Sequence, residues 1–255
     1  MRKTLLFHGT LAMLMLVSCA PKHYQLTSVE RTRIIVDSRF DQNPDEAAAQ
    51  FLAPYKKVND SIMSPVVGRV AHNMHPERPE SDLSNLLSDI LVWASKDYNE
   101  QPVLGIYNMG GIRADLVKGI VTYEDVLSIA PFENKIGFTT LSGESLLRLF
   151  QQIAHRGGEG VSKGTELVIT KDGKLVSARL HGQEIDPKAE YRVVTINYVL
   201  QGNDGMTAFT EGKDNVSPQE AQNNSRYLIM NYFKDKSARG EVVDAQEEGR
   251  IKIED

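Results

Sequence analysis

Asn108-Met109-Gly110-Gly111-Ile112-Arg113 is the stretch of this 255-residue chain best equipped for chemistry. Two adjacent glycines, Gly110 and Gly111, let the backbone turn sharply and let a ligand approach it closely. Arg113 sets a planar cation with several donors beside that open turn. Further on, Pro131-Phe132 stops a helical run and fixes an aromatic ring in a loop. Glycine turn, cation and loop-held ring together point to a pocket for a planar, polar ligand. The same glycines would also serve a strand-to-helix turn that needs them for shape alone.

The elements that must position these residues can be read on either side of them. The apolar run Val103–Tyr107 has the length and composition of a buried strand. Thr122-Tyr123-Glu124-Asp125 opens a helix, with Thr122 suited to cap it. A second stretch, Ile196-Asn197-Tyr198-Val199-Leu200-Gln201-Gly202-Asn203-Asp204-Gly205, reads as a strand running into a glycine-rich loop. Tyr198 is there a core aromatic or a ligand-facing one. Asp204 either satisfies its own turn or serves a ligand.

NMGGIRADL, TYEDVLSIAPFEN and INYVLQGNDGMTAF, in that order, resemble the motifs of the 5′-nucleotidase C-terminal domain family. The resemblance runs from about Val66 to Phe233. In that family this domain grips the nucleoside, while an N-terminal metallophosphoesterase domain holds two metals and cleaves the phosphate. The resemblance implies that Phe132 and Tyr198 sandwich the base and that Asp204 accepts hydrogen bonds from the ribose hydroxyls. Asn108 would meet a base edge or ribose oxygen, and Arg113 the phosphate or ribose side. Gly110, Gly111 and Gly202 shape the same site. The physics agrees with these roles. Stacking on a ring contributes about 1–3 kcal/mol per base without selecting one base. A carboxylate beside a vicinal diol makes charge-assisted hydrogen bonds.

Three positions depart from the family pattern. Asn203 stands where Gly is usual, which Asn tolerates because it visits left-handed backbone more readily than most residues. Met109 replaces another frequent Gly and would narrow the approach to the base. Arg78, set between two prolines, lies one position off the family's upstream arginine. Glu80, Asn85 and Asp89 match acid, amide and acid positions on and before a helix; each also fits a capping or solvating role.

Bond-breaking machinery is harder to find. Two-metal phosphoester hydrolysis needs a cluster of His, Asp and Asn ligands around paired cations. The family's Asp-x-His, Gly-Asn-His-Asp/Glu and Gly-His-x-His motifs do not occur in the chain. Its histidines beyond the leader are His23, His72, His75, His155 and His181, and His72-x-x-His75 has no acid partner at ligand spacing. There is no Gly-x-Ser-x-Gly elbow and no P-loop lysine. The expectation is no metal and no cofactor in this chain, with divalent metals confined to a partner phosphoesterase.

The first residues make a different kind of statement. Met1-Arg2-Lys3 followed by the apolar run to Val17 reads as a secretory signal peptide, residues 1–18, too short for a membrane span. A small residue directly before Cys19, the single cysteine, makes a lipobox. Cys19 is then the lipidation site, with residues 19–30 a polar tether and 31–255 the domain. Acyl chains add about 0.8 kcal/mol per buried methylene, enough together to hold a protein on a bacterial membrane in the cell envelope. The net charge is −5, from 34 acids and 29 bases, without a basic cluster. Nucleic-acid binding needs a positive surface, so that class is excluded.

Further elements follow from periodicity. Arg31–Asp37 is a β-branched strand candidate, and Asn43–Ala49 starts a helix with Pro44 near its first turn. Val66–Ala71 is strand-like. Leu83, Leu86, Leu87, Ile90, Leu91 and Ala94 fall at helical spacing over 82–97. A core helix spans 144–154. Glu166–Thr170, Lys174–Leu180 and Tyr191–Asn197 pattern as strands, the first two joined by an Asp-Gly turn. Gln219–Phe233 reads as a helix and Gly249–Ile253 as a closing strand. The fold class is α+β, a mixed sheet flanked by helices. The expected role is the nucleotide-positioning half of a 5′-nucleotidase in nucleotide catabolism, paired with a separate metallophosphoesterase polypeptide. The alternative is a surface-anchored nucleoside-binding lipoprotein with no enzymatic partner.

Overall fold

Alternating and β-branched runs pair into three sheets in the computed structural model, which describes residues 24–39, 41 and 45–254. The leader, Cys19, the start of the tether and Pro44 lie outside the described residues. The strands are β1 (Val66–Val70), β2 (Leu104–Tyr107), β3 (Gly119–Thr122), β4 (Ile136–Ser142), β5 (Gly160–Val161), β6 (Thr165–Thr170), β7 (Leu175–Leu180), β8 (Gln183–Glu184), β9 (Glu190–Ile196), β10 (Lys213–Val216) and β11 (Ile251–Glu254). The helices are α1 (Glu46–Met63), α2 (Asp82–Ala94), α3 (Tyr123–Ile129), α4 (Gly143–His155), α5 (Asn197–Leu200) and α6 (Ser225–Ala238).

The central sheet is ordered β10-β4-β9-β2-β5. β4 and β9 run antiparallel from Ile136 opposite Ile196 to Ser142 opposite Glu190, while β2 lies parallel to β9. A second sheet is ordered β11-β6-β7-β8, with β11 parallel to β6, and β1 pairs with β3 in a ribbon. The two larger sheets are thus mixed and helices flank the central one, as the α+β reading expects. Phe138, Val193, Val194 and Ile196 of the central strands are fully buried. α2 covers β2 and meets α6, which crosses β1.

Local chemistry explains where the helices begin. Ser81 accepts the Ser84 N–H and caps α2, while its own N–H is taken by the Ser84 hydroxyl. Thr122 and Asp125 make the same reciprocal box at α3, and Ser142 caps α4. Each cap satisfies N–H groups that a helix start leaves without partners. Leu83, Leu87, Ile90 and Leu91 on α2, and Leu146, Leu149, Phe150 and Ile153 on α4, supply the buried stripes.

Some expected elements differ. The chain divides into two units at Leu52 and Ala53, inside α1. In the first unit, residues 24–36 form neither helix nor strand, and Ile34, Ile35 and Val36 are exposed. A β-branched run needs a neighbouring strand to complete its ladder, and no named strand pairs with it. α1 starts at Glu46, with the Asp45 carboxylate accepting the N–H groups of Ala47 and Ala48, and none of its residues is buried. α6 begins at Ser225 rather than Gln219, because Asn224 accepts the Arg226 N–H and starts the helix there. Tyr198 sits on the helical turn α5 and not on a strand.

Glu80, Asn85 and Asp89 turn out to hold the end of the chain. Glu80 accepts from Asn85 Nδ2 at 2.7 Å, Glu248 N at 2.8 Å and Ile251 N at 3.1 Å. Asp89 takes both ends of the Arg250 fork at 2.8 and 2.9 Å. These bonds fix β11 against β6.

Tyr107, at the end of β2, gives the fold a pH signature. Burial pushes its phenol up from 10.0 to about 12. The folded state therefore holds this proton more tightly than the unfolded chain. That stabilisation is complete below the unfolded value near 10 and is lost as pH climbs through the folded value near 12. Denaturant unfolding between those limits should lose about 1.4 kcal/mol per pH unit from this group, and Tyr107→Phe should remove that share of the slope. Identical slopes in the two proteins would contradict it.

Candidate functional site

β2 ends by delivering Asn108 into a single 3₁₀ turn, Met109–Gly111, with Asn108 itself in extended backbone (φ −75°, ψ 130°). Gly111 is required by contact: a Cβ there would lie 2.7 Å from Asn108 Oδ1. The Asn108 side chain lies against the turn at Gly111, and its Nδ2 donates to Asp204 Oδ2 at 2.7 Å. Asn108 Oδ1 is buried without a hydrogen-bond partner among the described residues. Gly110 faces the same acid, a Cβ there lying 3.4 Å from Asp204 Oδ2.

Asp204 comes from the far end of the chain. After β9 the backbone turns through α5 and a loop in which Gly202 (φ 79°) and Asp204 (φ 55°) are both left-handed. Gly202 also has no room for a side chain, since its Cβ would approach Thr210 Cγ2 to 2.9 Å. Asn203, expected to use its tolerance of left-handed backbone, instead donates through Nδ2 to the Tyr198 carbonyl at 2.8 Å. Asp204 takes the unusual conformation in its place. Tyr198 OH donates to Asp204 Oδ1 at 3.2 Å. Burial first, and then the neighbouring Asp204 carboxylate, hold the Tyr198 phenol above its ordinary range.

These groups surround one cavity of about 210 Å³, lined by Asn108, Gly110, Gly111, Phe132, Asn134, Tyr198 and Asp204. Phe132 and Tyr198 keep 47% and 38% of their surface exposed, while Asn108 is buried. Two rings left open to water on a concave site, above an amide and a carboxylate, are what a flat polar ligand would cover. Pockets that engulf drug-sized ligands run to roughly 300–1,000 Å³, so this one would take a ring system and leave part of the ligand outside.

Two sequence-assigned residues stand apart. Gly202 shapes the loop behind the cavity without lining it, and Arg113 is exposed with Nη1 3.3 Å from the Gly110 carbonyl. Met109 is buried away from the cavity and does not narrow it. Asn134 lines the cavity and is not among the residues assigned from sequence; its position two residues after the Pro131-Phe132 corner is the local signal that could have found it. His72 bonds Asp82 and Asp244, each at 3.0 Å, whereas His75 bonds Asp115 at 2.9 Å, so the two histidines share no partner. Among the described residues, no group of three or more His, Cys, Asp or Glu could hold a metal ion. None of the described helices is long and apolar enough to cross a membrane.

Residues 65–211, more than half of the chain, match the family model described as 5′-nucleotidase, C-terminal domain. An apyrase from Tabanus yao is 29% identical over 170 residues, covering 59% of this chain and 29% of that protein. The trifunctional nucleotide phosphoesterase protein YfkN of Bacillus subtilis strain 168 is 26% identical over 237 residues, covering 85% of this chain and 16% of its own length. The chain therefore spans less than a third of either relative. Among solved structures, a 5′-nucleotidase precursor from Thermus thermophilus matches with a TM-score of 0.71 and 26% identity, over 84% of this chain and 44% of that one. The NAD nucleotidase of Haemophilus influenzae matches with a TM-score of 0.60 at 21% identity, over 82% of this chain and 41% of that one, a likeness of fold.

Proposed function

Because the chain belongs to the 5′-nucleotidase C-terminal domain family, we propose that it is the nucleoside-gripping half of a 5′-nucleotidase whose phosphoester chemistry resides on a separate polypeptide. The observation that carries this reading is the convergence of Phe132, Tyr198, Asn108 and Asp204, from segments far apart in sequence, on one cavity. In the proposed complex the base lies between the rings of Phe132 and Tyr198, each contact contributing about 1–3 kcal/mol. Asn134 and Asn108 offer amides to the base edge or sugar. Asp204 accepts from the ribose hydroxyls at the acceptor sites that its bonds to Asn108 and Tyr198 leave free. Arg113, beside the Gly110 carbonyl at the exposed end of the turn, attracts the phosphate.

The partner would supply two divalent metals and the attacking water, and this chain would supply position. Holding the ester in place converts an encounter into an intramolecular step, which is where a binding half contributes to rate. We further propose that Cys19 is lipidated and keeps the protein in the cell envelope, on the periplasmic or surface side of a bacterial membrane. No cofactor is assigned to this chain itself.

Calorimetry of the chain without its leader, titrated with adenosine and AMP, tests the binding role. Heat with a Kd in the micromolar range is expected; silence at millimolar ligand would remove the proposal. The partner is sought in a neighbouring reading frame that has Asp-x-His and Gly-Asn-His motifs and no NMGGIR-like segment. Phosphate release from AMP should appear only when the two proteins are mixed. Adenosine binding without release in any mixture would leave the nucleoside-binding lipoprotein in its place.

A further inference from the structure

We propose that Arg156 is a specificity-determining residue of the cavity: it acts through Asp204 to favour ligands with a ribose diol, and Glu159 is the positioning residue that holds it there. The proposal rests on the nucleoside reading of the cavity and deepens it.

Glu159 lies just beyond the end of α4 and is 1% exposed. Its Oε1 accepts from Arg156 Nε at 2.5 Å and from Arg78 Nη2 at 2.6 Å. Its Oε2 accepts the Met109 N–H at 2.5 Å. Arg78 is held a second time, through Nε on the Gly158 carbonyl at 2.9 Å. One carboxylate between two guanidiniums leaves an excess positive charge. That charge faces Asp204: Arg156 Nη2 stands 3.9 Å from Asp204 Oδ2.

The distance decides what Arg156 can do. At 3.9 Å it is beyond hydrogen-bond range, so it uses none of the acceptor sites of Asp204. An ionised carboxylate has about four such sites. Asn108 and Tyr198 occupy one on each oxygen, which leaves room for two hydroxyl donors. A ribose seated with its hydroxyls on this acid would replace its water, whereas a dideoxyribose leaves that water in place, and a carboxylate losing water needs donors and a counter-charge. Arg156 supplies the charge and the diol supplies the donors. Glu159 fixes the fork of an otherwise flexible side chain and, through Met109, the turn that carries Asn108. One buried group thus sets two of the three protein partners of the acid, Arg156 and Asn108, leaving Tyr198 to its own turn.

The test compares adenosine with 2′,3′-dideoxyadenosine, by calorimetry, on the wild type, Arg156→Met, Arg156→Lys and Glu159→Gln. Arg156→Met should weaken adenosine roughly tenfold and leave the dideoxy ligand within about twofold. Arg156→Lys should recover part of the loss, and Glu159→Gln should show the same selectivity in milder form. In ligand-free protein, ¹³C-tyrosine NMR should find the Tyr198 phenol titrating higher in Arg156→Met, because Arg156 now pulls it down against Asp204. Equal losses for both nucleosides, or unchanged affinities with an unmoved phenol, would overturn the proposal while leaving nucleoside binding intact. A wild type that binds neither nucleoside sinks the parent reading and this one together.

Discussion

Asp204→Asn is expected to weaken adenosine binding on the order of 50-fold while the thermal transition stays within about 2 °C of wild type. The substitution keeps the side chain's shape and removes its charge. Asn also accepts the left-handed backbone (φ 55°) that this position adopts, so the loop should not move. What is lost is one charged acceptor replaced by a neutral amide oxygen and one replaced by an NH2 that cannot accept, about 1–1.5 kcal/mol at each ribose hydroxyl, or roughly 2.3 kcal/mol together. Asp204→Ala is a poorer probe, because alanine adds left-handed strain of about 1 kcal/mol to the lost contact. Measured by calorimetry with the two transitions compared in parallel, wild-type affinity in Asp204→Asn would mean that the acid does not face the sugar. The proposed sandwich would then have to hold the ligand by its rings alone.

The lining of the candidate site was more legible in the sequence than the scaffold that steadies it, and the reason is range. Asn108, Gly110 and Gly111 announce themselves within four residues, and Phe132 is marked by the proline before it. Their meeting with Tyr198 and Asp204 came from the order of family motifs, since no local pattern pairs positions so far apart. Glu159 carried no such marker: its partners Arg78 and Met109 lie 81 and 50 residues away. Glu80 and Asp89 show the same limit. Their polar positions were visible on and before α2, but the groups they bind, around Ile251 and Arg250, are 171 and 161 residues distant. Residues 31–37 failed in the opposite direction, where local β propensity was clear and no strand among the described residues pairs with them. At the loop before Met206 the family pattern pointed to Asn203 as the left-handed residue, one place before the aspartate that takes that conformation.

Gly158→Ala should cost about 4 kcal/mol, whereas Gly157→Ala, one residue earlier, should cost about 1 kcal/mol. Both glycines are left-handed, at φ 78° for Gly157 and 110° for Gly158, so both substitutions strain the backbone. Only Gly158 is also enclosed. A Cβ there would lie 2.2 Å from the Pro79 carbonyl oxygen and 2.7 Å from its Cα, and backbone atoms cannot swing aside as a side chain can. At Gly157 the nearest atom is the flexible Arg78 Cδ, at an ordinary 3.7 Å. Strain contributes about 1–3 kcal/mol and overpacking another 1–3, so the enclosed site carries both. At about 2–4 °C per kcal/mol for a domain of this size, the transition should fall by roughly 8–16 °C in Gly158→Ala and by a few degrees in Gly157→Ala. The same close approach carries Glu159 under the Asn108 turn, so the folded fraction of Gly158→Ala should also bind adenosine more weakly. Gly157→Ala should bind it as the wild type does. Equal destabilisation of the two variants would show that the Pro79 segment yields, and that Glu159 is held by its own ion pairs rather than by the backbone pressed against it.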